Sequence, residues 1–143
     1  MNKGKKQIGR LPGDLSKEEL IARIIRVDQA GEYGAKRIYE GQLSVLSGSE
    51  DEALLRDMAE TEDIHLETFN KLLVERKVRP TLLSPFWHFA GFALGAGTAL
   101  MGREAAMACT VAVEAVIGNH YDEQAKQLGG RLRLIPCFNA STD

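Results

Sequence analysis

Apolar residues return along this chain at the three-and-four spacing of helices, in four runs separated by breakers. From about residue 17 to 47 the run is Leu20, Ile21, Ile24, Ile25, Ile38, Leu43 and Leu46. Ser16, followed by Glu18 and Glu19, supplies an N-cap and first-turn acid, and Ser47-Gly48-Ser49 ends the helix. A second helix is predicted from about 50 to 77, with Pro80 just beyond it and PTLLSP (80–85) as a connector. An apolar segment, 86–101, follows. Gly102 precedes a last helix from about 103 to 128, stopped by Gly129-Gly130. No run alternates with the period of a strand, and no segment repeats. The pattern predicts an all-α bundle, divided into a flexible basic arm (1–15), a helical domain (16–128) and an irregular tail (129–143).

The segment 86-FWHFAGFALGAGTALM-101 is apolar nearly all round and rich in small residues. Interrupted by His88, it falls short of the ~18–20 continuous apolar residues that span a bilayer. It reads either as a buried core helix or as a helix in a membrane interface, with Phe86, Trp87, Phe89 and Phe92 as aromatic anchors.

Candidate chemistry begins in 59-AETEDIHLETF-69. Counting by three and four, Leu55, Met58, Glu62, His65, Phe69, Leu72 and Leu73 share one stripe, while Glu60, Asp63 and Glu67 lie off it. An ionised carboxylate on a core stripe is costly unless it is paired or bound to a metal. Alone, this Glu-x-x-His also reads as a pair at the edge of the core.

Two further carboxylates shift that balance. Glu32, in 29-QAGEYGA-35, shares its face with Ile25, Tyr39 and Leu43, and two glycines beside it point to close backbone approach. Simple helix crossing explains the small residues but does not require the Glu. Glu114 follows the uncharged run 105-AAMACTVAV-113 and shares its face with Met107, Val111, Ile117 and Tyr121. One Glu from each of two helices and a Glu-x-x-His from a third make three-quarters of a carboxylate-bridged di-iron site, whose fourth quarter is a second Glu-x-x-His. Carboxylates neutralise two iron ions and histidines leave positions open for dioxygen. A zinc site favours His and Cys ligands, and HExxH is absent.

The bulk numbers narrow the classes. With 143 residues and a formal charge of −2, the chain suits one domain and gives no electrostatic reason to bind nucleic acid. Cys109 and Cys137 form no CxxC, so a reduced compartment is expected, with Cys109 as a core residue. The sequon at Asn139 is taken as chance. The basic opening MNKGKKQIGR lacks the apolar core of a signal peptide and does not read as a transit peptide.

Over residues 20 to 128 the chain resembles the demethoxyubiquinone hydroxylase family, ferritin-like di-iron monooxygenases of ubiquinone biosynthesis. The resemblance rests on 24-IIRVDQAGEYGAKRIYEGQL-43, ETEDIHL, RPTLLSPFW, GFALGAGTAL and 106-AMACTVAVEAVIGNHYDEQ-124. It implies a ferritin-like helical bundle with a short hydrophobic helix in the membrane interface, which selects between the two readings of 86–101. It implies iron as cofactor, and hydroxylation of a prenylated methoxy-benzoquinol with O2 and NADH or another reductant. Glu32, Glu62, His65 and Glu114 match the family's ligands. His120 and Tyr121 match its His-Tyr; by spacing Tyr121 faces the Glu114 side, positioned to orient the quinol or relay an electron, while His120 is a poor substitute ligand. Gln29 and Ala115 depart from the family's usual His and Glu, and neither is at a ligand position. The implied partners are membrane lipid, a homo-oligomer or an accessory protein of ubiquinone biosynthesis. The implied location is a peripheral one on the cytoplasmic face of a bacterial inner membrane, with the matrix side of the mitochondrial inner membrane as the alternative.

The family's second Glu-x-x-His has no counterpart here. The sequence runs 29 residues past Glu114, and GGRLRLIPCFNASTD contains no His and one acid, Asp143. The expectation is therefore a bundle incomplete at the C-terminus, with a tail that looks like the product of a frameshift, a truncation or alternative processing. Two function readings follow: a quinol hydroxylase, or a catalytically impaired relative that binds membrane, quinone or an intact homologue. A ferritin-like iron-storing or peroxide-consuming protein shares the carboxylates but has no need of the aromatic 86–101 segment.

Overall fold

A computed structural model describes residues 12–128 as four helices: α1 (Lys17–Leu46), α2 (Glu52–Glu75), α3 (Ser84–Leu100) and α4 (Arg103–Gln127). No strand occurs among the described residues. The all-α bundle read from periodicity is the fold found, and it is consistent with a ferritin-like arrangement. Residues 1–11 and 129–143 lie outside the described residues, and with them most of the basic arm, the whole tail, Cys137 and the sequon.

The ends of α1, α2 and α4 form within two residues of where the sequence placed them, while α3 starts at Ser84, inside the stretch 80–85 read as a connector. Ser16 Oγ accepts from the Glu19 amide at 3.1 Å, and the Glu19 carboxylate accepts from the Ser16 amide at 2.7 Å, closing a capping box. Pro85 sits in the first turn of α3, where its missing N–H costs nothing. Gly102 joins α3 to α4 at φ +116°, a conformation that a side chain would strain.

α1 is the central helix, and α2, α3 and α4 all pack on it. One core cluster joins Ile24 and Ile25 of α1 to Phe69, Leu72 and Leu73 of α2, with Tyr121 of α4 against it. Burying each of these side chains contributes about 1.5–3 kcal/mol. A second cluster is built on Ala35, Ile38 and Tyr39, covered by Met58, Ala59, Cys109, Val113 and Ile117.

α3 meets α1 backbone to backbone. A Cβ at Gly95 would lie 1.9 Å from the Ile38 carbonyl oxygen, and one at Gly41 would lie 2.2 Å from that of Phe92. The buried stripe of α3 is only Gly91, Gly95 and Ala99. Its large residues point elsewhere: Phe89 is 73% exposed, Phe86 60% and Trp87 39%. Phe92 is half-buried beneath Arg37, whose guanidinium carbon lies 5.0 Å from the ring centroid. The segment is therefore not a buried core helix. No helix among the described residues is long and apolar enough to cross a membrane.

α4 is held to α1 by hydrogen bonds more than by apolar packing. Gln124 Nε2 donates to Asp28 Oδ1 at 2.6 Å, and the Tyr121 hydroxyl donates to Glu32 Oε1. The Tyr39 hydroxyl donates to Glu114 Oε1 at 2.5 Å. Gln42 donates to the Ala106 carbonyl at 2.9 Å and accepts from Thr110 Oγ1 at 3.2 Å. These rungs climb α1 as they descend α4, as antiparallel helices require, and Ala35 and Ile117 form an apolar layer between them. At the end where α4 starts, Arg103 forks onto Asp51, ahead of α2, at 2.6 and 2.9 Å.

Candidate metal centre

Glu62 and His65 sit one turn apart on α2, and α1 brings Glu32 against them. One ligand atom from each of the three lies within 4.8 Å of the others, the geometry of a site that could hold a cation. Glu32 is 1% exposed and Glu62 5%. His65 is half-buried, and its Nδ1 lies 3.6 Å from Glu32 Oε2 and 3.7 Å from Glu62 Oε2. Those two carboxylate oxygens are buried and accept no hydrogen bond. A buried carboxylate oxygen without a donor is costly. Two that converge beside an imidazole nitrogen have the donor set and the unfilled coordination that a hard or borderline cation satisfies.

The protonation of the cluster supports that reading. Burial pushes the Glu62 carboxyl up to about 8, with the Glu32 charge adding to the rise. The carboxylates of Glu32 and then Glu62 raise the His65 imidazolium to about 10. Burial also works to raise Glu32, but His65, Glu62 and Tyr121 together outweigh it and hold its carboxyl below the usual range. At neutral pH the three groups are thus a neutral acid, a cation and an anion. Without a metal, two protons carry the positive charge that a metal ion would supply.

Glu114 stands apart from the three. It is exposed on α4 and is not among the groups that converge within 4.8 Å, though its charge contributes to the rise at Glu62. Its carboxylate is held by the wholly buried Tyr39. Tyr121, two turns along α4 from Glu114 and on the same side of the helix, gives its hydroxyl to Glu32. The antiparallel run of α4 places residues below Glu114 on that helix opposite residues earlier on α1. His120 is exposed, and it shares with Val27, Asp28, Gly31, Glu32, Ile117 and Tyr121 the lining of a cleft of about 30 Å³, room for a water-sized molecule. Gln29 Nε2 donates to Asn70 Oδ1 at 3.1 Å.

Sequence reasoning missed Asp28. It is 5% exposed, one turn before Glu32, and burial pushes its carboxyl up to about 7. It missed the buried Gln42, Thr110 and Gln124 as well. The available signal was their helical spacing from Glu32, Tyr39 and Tyr121, which puts them on the same faces.

The sequence model for ubiquinone biosynthesis protein COQ7 matches residues 19–134. The 3-demethoxyubiquinol 3-hydroxylase of Rhodospirillum rubrum is 60% identical over 121 residues, covering 84% of this chain and 57% of that protein. The human NADPH-dependent 3-demethoxyubiquinone 3-hydroxylase, mitochondrial, is 56% identical over 108 residues, 76% of this chain and 50% of the human one. The 5-demethoxyubiquinone hydroxylase, mitochondrial, of Saccharomyces cerevisiae is 51% identical over 116 residues, 80% of this chain and 50% of the yeast one. The chain spans about half the length of these curated relatives.

Proposed function

The chain belongs to the family of ubiquinone biosynthesis protein COQ7, and on that premise we propose that it is a di-iron monooxygenase chain that hydroxylates demethoxyubiquinol, a prenylated methoxy-benzoquinol. The observation that carries this reading is the buried convergence of Glu32, Glu62 and His65 with two carboxylate oxygens lacking donors. These three residues would hold iron, with Glu114 beside them as a further carboxylate. Bound iron supplies the activation of O2, with electrons from NADH, NADPH or another reductant.

The chain's own groups have definable tasks in that reading. Glu62 gives up its carboxyl proton and His65 gives up its own when a metal ion enters. The Tyr121 hydroxyl holds Glu32 Oε1, leaving Oε2 turned toward the cluster. The exposed Phe86, Trp87 and Phe89 of α3, with Phe92 beneath Arg37, rest in the membrane interface and bring the site to its lipid substrate. The location is then the cytoplasmic face of a bacterial inner membrane. The human and yeast relatives, named as mitochondrial, keep the matrix side as the alternative. A homo-oligomer or an accessory protein would present the quinol.

A second reading has support in the same geometry, because three ligands converge where a pair of irons wants more. In it the chain binds membrane, quinone or a homologue and turns over nothing. Anaerobic loading with Fe2+, elemental analysis and Mössbauer spectroscopy separate the two. Coupled iron in the chain, followed by hydroxylation of a prenylated quinol, establishes the enzyme. A folded chain with bound quinol and no turnover establishes the second reading.

A further inference from the structure

Glu32 and Tyr39 lie seven residues apart on α1, and Glu114 and Tyr121 lie seven residues apart on α4. The two pairs cross. Tyr121 gives its hydroxyl to Glu32, and Tyr39 gives its hydroxyl to Glu114 at 2.5 Å. Seven residues is two helical turns, so each Glu and its own helix's Tyr present to the same neighbour. With the helices antiparallel, each carboxylate meets the phenol of the other helix, in a local two-fold arrangement about Ala35 and Ile117.

The geometry points to Tyr39 as the positioning residue for Glu114, fixing that carboxylate beside the Glu32–Glu62–His65 cluster as Tyr121 fixes Glu32 within it. Three observations support the assignment. Tyr39 is wholly buried, so its hydroxyl has no water to choose instead of Glu114. Tyr39 belongs to a buried cluster with Ala35 and Ile38 that residues of α2 and α4 cover. Glu114, by contrast, is an exposed side chain on an exposed stretch of helix, and among the described residues the phenol is the one hydrogen bond its carboxylate makes. A flexible exposed carboxylate contributes little to a metal site unless a rigid donor orients it, and loss of such a donor typically weakens metal binding about 10–100-fold.

The inference rests on the metal reading of the cluster, so its test carries one arm that needs no metal. In the first arm the full chain is titrated with Co2+ as probe, in the unsubstituted protein and in Y39F, E114Q and the double variant. Y39F is expected to weaken Co2+ binding about tenfold and to alter the visible cobalt spectrum. In the E114Q background Y39F is expected to change neither. An equal effect of Y39F in both backgrounds, or none in either, overturns the assignment. In the second arm the metal-free chain carries 13Cζ-labelled tyrosine, with the Tyr39 resonance assigned by its disappearance in Y39F, a use that requires only that the other signals persist. E114Q, which leaves Tyr39 in place, is expected to shift that resonance, and an unmoved resonance overturns the assignment even if Y39F proves too unstable to titrate. Failure of the unsubstituted chain to bind Co2+, with the resonance shifting as expected, overturns the metal reading and leaves the Tyr39–Glu114 contact standing as a structural tie.

Discussion

The hydroxyl of Tyr121 donates to Oε1 of Glu32 across the boundary between α4 and α1, at the point where the core meets the candidate metal centre. Glu32 is 1% exposed, and its other oxygen, Oε2, accepts no hydrogen bond. The phenol joins His65 and Glu62 in holding the Glu32 charge inside the bundle. Tyr121→Phe leaves the ring packed against the Ile24–Phe69 cluster and removes only the donor. A hydrogen bond to a charged group contributes about 1.5–3 kcal/mol. Chemical denaturation of Tyr121→Phe is expected to show a loss in that range, and a variant as stable as the parent sinks the claim.

The metal-free chain is expected to lose stability as pH rises. Asp28, Glu62 and His65 have folded-state values of about 7, 8 and 10, each above the ordinary value for its type. A raised value means that the folded chain holds a proton that the unfolded chain has released. The Asp28 and Glu62 contributions are thus complete below the ordinary carboxylate range and fade as pH climbs to about 7 and about 8. The His65 contribution is complete below about 6.5 and fades by about 10. Glu32, held low, acts oppositely and only in acid, where its ionised form is lost. Denaturation midpoints between pH 5 and 9 are expected to fall steadily, and Glu62→Gln is expected to flatten the decline below pH 8. Midpoints that rise over this interval contradict the protonation pattern.

The same protons oppose a metal ion. Binding must displace one from His65 and one from Glu62. Between pH 6 and 7.5 the apparent Co2+ affinity is expected to rise by up to about a hundredfold per pH unit, a limit of two protons released. Titrations at several pH values, in unbuffered solution to count the protons, check both quantities. An affinity that ignores pH over this interval removes the cluster as the site.

The helices and all three converging residues, Glu32, Glu62 and His65, were picked out in the sequence, the α2 pair for a simple reason. α2 buries one stripe, so Glu62 and His65 stand out among Leu55, Phe69, Leu72 and Leu73 on a single face. Leu66 is buried beside them, four residues after Glu62 and three before Phe69, so it belongs to the same stripe. α1 is different, being covered on several sides at once. Asp28 and Gln42 are polar residues on a helix, the pattern of a solvated face, and only the arrival of Gln124, Thr110 and Ala106 from a helix more than sixty residues later buries them. The crossed Tyr–Glu contacts were hidden for the same reason. Spacing along α4 predicts which residues share a face, not which α1 residues lie opposite once the helix runs antiparallel.

The α1–α3 contact makes a prediction about two glycines of one helix. A Cβ at Gly95 would meet the Ile38 carbonyl oxygen at 1.9 Å, while one at Gly97 meets nothing within 4 Å. Gly95→Ala must push two backbones apart, and overpacking of this kind costs about 1–3 kcal/mol or more. Gly97→Ala adds only helix propensity and is expected to stabilise by about 0.5–1 kcal/mol. Opposite signs in thermal denaturation support the close approach; equal effects remove it.

The glycine stripe also decides what α3 has left to offer. With its small residues spent on α1, the helix turns Phe86 and Phe89 outward, 60% and 73% exposed, beside Leu82 and Leu83 of the connector. These four residues come from one short stretch, so their exposed area is contiguous along the chain and does not depend on distant packing. A phenylalanine moved from water into an apolar medium gains about 1.5–3 kcal/mol, or roughly ten- to a hundredfold in partitioning. Phe89→Asp is therefore expected to weaken co-sedimentation with phosphatidylcholine vesicles at least tenfold. The same substitution is expected to leave the helical circular dichroism and the Co2+ affinity unchanged, because Phe89 is largely exposed and is not one of the three converging residues. Vesicle binding that survives both Phe86→Asp and Phe89→Asp assigns the membrane surface elsewhere on the chain.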